Sequence, residues 1–441
     1  MLTFVSAVAS LMATSLEPPA APDPCAGQHT CQHATAAQLF AVADALAAQG
    51  DLAGAEQILE ALTEDPHLEL RSEARFRLAA VREQRGDLEG AIGALRALLA
   101  EQPSANPVRL ELSRLLALKG DDSGARRELR RAAAGGLPPD VARTVGRFSM
   151  ALNSRKRRGA SLDLAIAPDS NINRSTSDKF IDTVIAPFEL DPDARGQSGI
   201  GFSVGGEAFS RDGILGATLL TRAGLHGDFF DKARFDDIQL TLNSGPEIVT
   251  RSGRIRPSLT HERRWYGGHP YSIGYGASLS WLTTPSPTSQ LELNASTVRQ
   301  SIHGNALLDG CRSTLSATYD RAFTPQTSAR IGLRALVLDA TAKPESVHEG
   351  GGDVLVAHDF GVATIFGQAG YTKTRGQAPL ALFGKTRDDN RIDLGAGVIA
   401  HRIHFRGFAP LVRVIYTNSQ SNIALYDFRR TRVELGLSRE F

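Results

Sequence analysis

The final stretch of the chain, Tyr426–Phe441, constrains the fold more than any other part of the sequence. From Thr431 onward its residues alternate between two classes. One class is apolar (Val433, Leu435, Leu437) and the other is polar or small (Arg432, Glu434, Gly436, Ser438). A two-residue period places alternate side chains on opposite faces of an extended strand. We therefore expect a terminal strand, either the closing strand of a barrel or the edge strand of a soluble sandwich.

Alternating segments of the same kind fill the chain from Ser161 onward, and no convincing amphipathic helix interrupts them. Tight turn signals separate some of them, at Ser210–Gly213, Arg251–Gly253, Pro285–Pro287 and Thr324–Gln326. Longer polar insertions lie near residues 170–197, 339–351 and 375–390. We count fourteen strands, which begin near residues 161, 198, 213, 234, 252, 269, 287, 308, 326, 346, 363, 387, 407 and 426.

Three properties of these segments favour a membrane barrel over a soluble sandwich. Short connections alternate with long ones, which is the loop asymmetry of membrane barrels. Charged residues such as Arg222, Arg330 and Arg334 alternate with Ala, Leu and Ile, so the interior is expected to be wet. The sequence contains no apolar run of about eighteen residues, so a membrane-spanning form must close a sheet on itself. We predict a 14-stranded antiparallel transmembrane β-barrel over residues 161–441.

Aromatic residues make up only 6% of the chain, fewer than the aromatic girdles of membrane barrels usually contain. Four of them cluster at one predicted hairpin: Trp265, Tyr266, Tyr271 and Tyr275. We interpret this cluster as a partial girdle, with a ligand-stacking platform as the alternative.

A different pattern, helical and repeated, precedes the strands. One turn recurs at Gly50–Ala55, Gly86–Ala91 and Gly120–Ala125, at intervals of 36 and 34 residues, and the second interval is the tetratricopeptide period. In each copy the Gly suits a left-handed helix end, the Asp suits the cap of the next helix, and the small Ala lets two helices approach closely. We predict an N-terminal α-helical tetratricopeptide-like solenoid over residues 36–150.

Such arrays commonly grip a peptide or protein segment on a concave surface. The arginines of the last predicted helix, Arg126, Arg127, Arg130 and Arg131, are our candidates for a partner-binding surface that recognises an acidic segment or lipid headgroups. A solvated face is the alternative for these arginines, and a plug or spacer is the alternative for the array.

The first residues are typical of a processed export signal. Met1–Leu16 is almost wholly apolar or small and is followed by the loop-like Glu17–Pro22, although no Lys or Arg marks a basic end. We assign residues 1–24 to a signal peptide and linker. Cys25 and Cys31 follow closely, and whether they form a disulfide stays open.

The sequence does not point to metal, cofactor or catalysis. His29 and His33 beside the two cysteines do not have a standard structural zinc spacing, and Cys311 is expected to be a small buried side chain. His261 and His358 each precede a carboxylate, but adjacent strand residues face opposite sides of a sheet. No Gly-x-Ser-x-Gly, His-Glu-x-x-His or phosphate-loop motif occurs. A net charge of +1 excludes a global basic field for nucleic acid.

The first predicted strand is followed by Asp169, Ser170, Asn171, Ile172 and Asn173. This segment, placed after a short tetratricopeptide array and ahead of a fourteen-stranded barrel, resembles the surface lipoprotein assembly modulator family over about residues 36–441. The resemblance implies an outer-membrane protein, with its repeats in the periplasm, that moves surface lipoproteins or soluble haem-binding proteins to the cell exterior. The segment is then either a polar lip where the client passes or turn chemistry that ends a strand.

The resemblance also implies partners. The terminal Phe441 resembles the signal that the barrel assembly machinery reads in outer-membrane proteins, so we expect it to act in assembly and not in transport. The other expected partners are the exported client protein and outer-membrane lipid. Two further functions remain alternatives: an exopolysaccharide export barrel, and a passive porin with a protein-interaction domain.

Overall fold

A computed structural model describes residues 34–135, 137, 157–214, 217–250, 252–361, 363–400 and 409–440. The predicted signal peptide, Cys25, Cys31 and Phe441 lie outside these residues. The chain divides into two compact units, Met1–Leu137 and Pro138–Phe441, and each is described by itself.

The described part of the first unit is made of α-helices, each packed against the next along the chain. They are α1 (Ala36–Ala48), α2 (Leu52–Leu62), α3 (Leu68–Gln84), α4 (Leu88–Glu101), α5 (Asn106–Lys119) and α6 (Asp122–Ala134). None of the described helices is long and apolar enough to cross a membrane. The helical character predicted for this half is confirmed, and the tetratricopeptide identity of the repeats stays a prediction.

The repeated turn has the local geometry that its residues predict. Gly86 has a φ of +85°, in the left-handed region that favours glycine, and Gly50 and Gly120 have nearly the same value. Asp87 caps α4 by accepting a hydrogen bond from the backbone N–H of Gly90 at 2.9 Å. Ala91 is completely buried, as are its counterparts in the other two copies. The repeat is therefore a helix-to-helix connection in which the recurring Gly, Asp and Ala each have a physical role.

The second unit is a closed barrel of fourteen antiparallel strands, so the predicted barrel is confirmed. Its strands are β1 (Arg158–Asp169), β4 (Gly199–Ile214), β5 (Ala217–Phe230), β6 (Asp237–Thr250), β7 (Gly253–Tyr266), β8 (His269–Ser286), β9 (Ser289–Ile302), β10 (Gly310–Ala322), β11 (Thr327–Ala340), β12 (Val347–Asp359), β13 (Ala363–Leu380), β14 (Lys385–Ala400), β15 (Ala409–Ser421) and β16 (Phe428–Glu440). A separate two-stranded sheet, β2 (Phe180–Ile181) and β3 (Phe188–Glu189), lies in the connection between β1 and β4.

The two faces of the terminal strand β16 point as the alternation predicts. Leu435 and Leu437 are about half exposed, 51% and 43%, on the outer face, whereas Arg432 and Glu434 are buried. Arg432 contacts Asp228 of β5 although β1 and β4 separate β16 from β5 in the sheet. Such a contact is possible only across the barrel interior, so the polar face lines the lumen.

The two ends of the barrel are named from its first strand. We call the barrel end at Asp169, where β1 ends, the distal end, and the end at Arg158 the proximal end.

Some predicted connections are wrong. Ser210–Gly213 lies within β4 and pairs with β5. The insertions predicted near 339–351 and 375–390 shrink to the connections 341–346 and 381–384. The sequence pattern did not distinguish polar strand residues that face a wet lumen from turn residues, because both kinds of segment are rich in polar residues and glycine.

The connection of residues 170–198, at the distal end, is the longest between described neighbouring barrel strands. The backbone N–H of Val184, near its tip, donates a hydrogen bond to the carbonyl of Leu382 in the β13–β14 connection at 3.0 Å. Ile185 at the same tip is 87% exposed. This connection therefore extends from β1 toward another part of the barrel rim.

Candidate functional site at the closing seam

The barrel closes where its first strand pairs with its last, and this closing seam is irregular. β1 and β16 are in register from the pair Ser161 and Glu440 to the pair Ile166 and Leu435, and again at Asp169 and Arg432. Ala167 and Pro168 have no partner on β16, although both pair with β4 on the other side. Proline has no backbone N–H to donate to a ladder. The distal part of the seam therefore lacks continuous strand pairing.

Side chains and loop backbone join the two strands beyond this gap. The N–H of Ser170 donates to the carbonyl of Thr431 at 3.0 Å, and the Ser170 hydroxyl accepts from the Thr431 N–H at 2.8 Å. The Asn171 side-chain amide donates to the carbonyl of Arg429 at 3.1 Å. We call these contacts, with the Asp169–Arg430 ion pair, the latch.

Asp169 is the most enclosed member of the latch, since its side chain is 0% exposed. Its carboxylate accepts hydrogen bonds from Arg430 Nε at 2.8 and 3.0 Å, with Arg430 Nη2 also in contact. It also accepts from the Asn171 N–H at 3.0 Å, and Arg432 Nη1 lies 3.7 Å away. Two-point arginine–carboxylate pairs are among the strongest charged hydrogen bonds in proteins, so the latch is centred on Asp169.

The remaining predicted site residues fasten the 170–198 connection to the barrel. Ile172 is buried, and its N–H donates to the carbonyl of Gln197 at 2.7 Å. The Asn173 side-chain amide donates to the carbonyl of Arg195 at 2.7 Å and its oxygen accepts from the Gln197 N–H at 2.9 Å. These contacts are those of turn chemistry, while a role in client passage stays a prediction.

A network of charged side chains lies inside the barrel next to the latch. Arg432 donates to Asp228 Oδ1 at 2.8 Å and to Glu434 Oε1 at 2.9 Å, and it also contacts Ser203. Arg413 of β15 binds the other oxygen of Glu434 through its Nε at 2.8 Å. The network connects β4, β5, β15 and β16 and occupies the distal lumen beside the seam.

The sequence reasoning missed Arg430 and Asp228 as site residues. The available signal was the charge alternation on the inward faces of β5 and β16, where acidic and basic side chains recur at a two-residue period. That pattern shows which face is polar but does not show which residues meet across the lumen.

The predicted aromatic cluster divides between the two faces of the wall. Tyr266 and Tyr271 line a distal cavity of about 220 Å³ inside the barrel, with their rings 6.3 Å apart. Tyr275 is 60% exposed on the outer face, where His261 stacks on it at 4.7 Å. Trp265 precedes Tyr266 in a strand, so it faces outward. One half of the cluster thus fits a girdle and the other half fits a ligand platform.

The four predicted partner-binding arginines lie on α6, where each has an interaction within the chain. Arg131 pairs with Glu128 at 3.0 Å, and the same carboxylate binds the buried Arg109 at 2.7 Å. Burial alone would raise the pKa of Glu128, but Arg131 and Arg109 outweigh it and the pKa is lower than usual. These arginines therefore contribute to the charge of a helix face, and their binding role stays a prediction.

No cluster of three or more metal-ligating side chains occurs among the described residues. His261 contacts the carbonyl of Gly274 at 3.2 Å on one face of β7, while Glu262 pairs with Arg312 on the other. Cys311 is exposed on the outer face of β10, so the prediction that it is buried is wrong. A small apolar side chain on the outside of a barrel gives the same sequence signal as one in a core.

The comparisons with known proteins agree with the resemblance read from the sequence. A family profile described as surface lipoprotein assembly modifier matches residues 162–441. The surface lipoprotein assembly modifier of Moraxella catarrhalis is 23% identical over 381 residues, which cover 81% of this chain and 71% of that protein. The hemophilin secretion modulator of Acinetobacter baumannii is 22% identical over 393 residues, covering 83% and 78%.

Among solved structures, the anion-selective porin from Comamonas acidovorans shares 10% identity with this chain, and the match covers 64% of this chain and 98% of the porin, with a TM-score of 0.35.

Proposed function

This chain belongs to the surface lipoprotein assembly modifier family, and on that premise we propose that it is an outer-membrane export factor that brings partner proteins to the cell surface. The closed barrel supports the membrane location, because closure leaves no sheet edge to expose to lipid. The names of the two relatives, one for lipoprotein assembly and one for hemophilin secretion, support a protein client. The client is thus either a lipoprotein or a soluble secreted protein.

We propose that the client leaves through the closing seam. The observation that carries this proposal is the gap in strand pairing at Ala167 and Pro168. Beyond it, one register pair, Asp169 with Arg432, and the latch join β1 to β16. Separating the distal strands there requires exchange of the ion pairs that Asp169 forms with Arg430 and Arg432, and of a few hydrogen bonds. Separating β10 from β11, in contrast, requires loss of a continuous ladder. The β6–β7 pair also has a gap, at Gly245–Glu247, but three register pairs resume beyond it, at Ile248–Thr250.

The lumen offers less room for an axial route at the distal end. The Arg432 network and the 170–198 connection both occupy the barrel interior or its rim beside the seam. Ile172 and Thr176 of that connection are buried, and their backbones form hydrogen bonds with Gln197 and Gly196 of the same connection. A lateral route avoids these obstacles.

The first unit is proposed to capture the client in the periplasm before export. Its helix array, with the arginines of α6, offers a charged surface of the kind that binds extended acidic segments. Export involves no catalytic step in this proposal, because folding or binding of the client outside the cell supplies the driving force. The chain is accordingly proposed not to be an enzyme.

Co-expression with a candidate client tests the function. The client is a small secreted protein encoded beside this chain, carrying a surface-detectable tag. Deleting this chain should abolish surface labelling of the tag in intact cells while total client remains, and wild-type protein should restore it. Unchanged surface labelling together with lost polysaccharide export would overturn the proposal in favour of a sugar channel. Unchanged labelling with unchanged sugar export would leave only the passive porin.

A further inference from the structure

The distal cavity of about 220 Å³ lies between the 170–198 connection and the ends of β5 to β8. Its wall combines three arginines with two tyrosines and two aspartates: Arg174, Arg264, Arg430, Tyr266, Tyr271, Asp228 and Asp237. The cavity is small and unusually polar, but it shares with ligand sites a set of polar groups placed where they could fix the orientation of a ligand.

Both acidic residues of the wall are already satisfied by arginine. Asp237 accepts two parallel hydrogen bonds from Arg264, at 2.8 and 2.7 Å. Asp228 binds Arg432 at 2.8 Å. Arg430 is likewise engaged with Asp169 outside the cavity. The wall therefore has no unpaired carboxylate among the described residues, and two of its three arginines are occupied.

Arg174 is the third arginine, and its guanidinium has no hydrogen bond or ion pair with any residue in the described part of the chain. Its backbone has a φ of +51°, a left-handed conformation that non-glycine residues rarely adopt. The fixed turn of Asn171 and Asn173 holds it there, with the Arg174 N–H donating to the Asn171 carbonyl at 3.3 Å. Strained backbone of this kind persists where the surroundings fix it and is frequent at ligand sites.

The electrostatic environment of Arg174 and the two tyrosine hydroxyls both favour a negatively charged ligand. The side chain of Arg174 is accessible to solvent, yet the surrounding protein, and then the neighbouring Arg430, lower the pKa of Arg174. A negative ligand would offset both effects by stabilising the charged guanidinium. The hydroxyls of Tyr266 and Tyr271 also have no hydrogen-bond partner within the described chain, and the Arg264 guanidinium lies 4.9 Å from the Tyr271 ring, which fixes that ring in place.

We propose that this cavity binds a carboxylate, with the Arg174 guanidinium as the main ligand and the tyrosine hydroxyls as additional donors. Unused N–H and O–H donors line the cavity while both carboxylates of its wall are already paired with arginine, and a guanidinium matches the two oxygens of a carboxylate. A volume of about 220 Å³ admits one acidic side chain or a small organic acid, not a folded domain. During export the carboxylate would belong to an acidic side chain of the client, a point that rests on the proposed function.

Calorimetric titration of the purified full-length protein in detergent micelles tests the site. The probes are succinate, a short peptide with blocked ends and one glutamate, and inorganic phosphate. Wild type should bind at least one of the two carboxylate probes, and R174Q should weaken that binding by about tenfold or more, as expected for loss of a charged hydrogen-bond pair. R174K should weaken it less, and Y271F should weaken it by a few fold.

The matched control is R375Q, which removes one positive charge from the distal half of β13, where the Arg375 side chain is 71% exposed. It should leave carboxylate affinity unchanged. Heat-dependent mobility on gels verifies that each variant is a folded barrel. If folded R174Q binds carboxylates as wild type does, or wild type binds neither carboxylate or only phosphate, the proposal is overturned.

The two carboxylate probes distinguish the two possible sources of the bound carboxylate, a polypeptide side chain and a free organic acid. Binding of the peptide alone assigns the site to a polypeptide side chain, and binding of succinate alone assigns it to a free organic acid; either result supports a carboxylate site. The titration needs no client and no export. A negative export assay therefore does not contradict the carboxylate site, and a negative titration does not contradict the export proposal.

Discussion

Arg430 and Asp169 form a two-point ion pair across the closing seam, with Arg430 Nε 2.8 and 3.0 Å from the carboxylate oxygens, although the two residues are 261 positions apart in the sequence. The pair lies directly beyond the two residues of β1 that lack a partner on β16. A charged side-chain contact thus supplements sparse backbone pairing at the distal end of the seam. This sparse pairing is what makes the seam a candidate for opening.

Removing the carboxylate should destabilise the barrel. D169A leaves Arg430 without its buried carboxylate partner, and losing one member of such a pair costs about 3–5 kcal/mol. Arg432 keeps its contacts with Asp228 and Glu434. Urea unfolding of the barrel in lipid vesicles, followed by gel mobility, measures the loss. The control is D193N, because the Asp193–Arg234 pair has both side chains about half exposed and should contribute less than about 1 kcal/mol. Equal effects of the two variants would contradict the central role of Asp169.

The sequence contains enough information for the barrel but not for the latch. Residues such as Leu435 and Arg432 alternate because opposite faces of one strand meet lipid and lumen, and this local rule suffices to count strands. The pairing of Asp169 with Arg430 has no local signal, since it depends on which two strands close the barrel. Similarly, Arg174 is one polar residue in a polar loop, and only its left-handed backbone and its place in the wall of the distal cavity distinguish it.

The first unit should lose stability in acid through Glu128. The pKa of this nearly buried carboxyl is below its ordinary value of 4.5, because its arginine partners outweigh the effect of burial. Its contribution is therefore fully present above about pH 4.5 and is lost as pH falls through the lower folded-state pKa. E128Q should cost about 3 kcal/mol at neutral pH, and the difference from wild type in the urea unfolding of the helical circular-dichroism signal should shrink in acid. A difference that stays constant with pH would show that Glu128 acts through shape alone.

Alanine substitutions at two glycines of α4 should change the stability of the first unit in opposite directions. A Cβ on Gly90 would lie 2.1 Å from the Asp87 carboxylate that caps the helix, whereas a Cβ on Gly93 would meet nothing within 4 Å. G90A should cost about 1 kcal/mol through the displaced cap, and G93A should gain about 0.5–1 kcal/mol from helix propensity. Thermal unfolding of the helical signal distinguishes them. Stabilisation by both substitutions would show that the cap contributes little.

The distal end is expected to face the cell exterior. In a background without the three native cysteines, I185C places a thiol at the 87% exposed tip of the 170–198 connection. A membrane-impermeant maleimide should label it in intact cells. P325C, in the proximal connection between β10 and β11, is the matched control and should be labelled only after the outer membrane is permeabilised. The reverse pattern of labelling would invert the proposed orientation.

The most direct test of the seam as the exit is a reversible cross-link across it. Ile166 and Leu435 face each other on β1 and β16, and facing residues of antiparallel strands, about 4.5–5.5 Å apart, suit a disulfide. The control pair is Ile331 and Val354 on β11 and β12. In the cysteine-free background, oxidation of I166C/L435C should stop surface delivery of a co-expressed client and reduction should restore it, while oxidation of I331C/V354C should have no effect. Normal delivery by a fully oxidised I166C/L435C barrel would contradict the account.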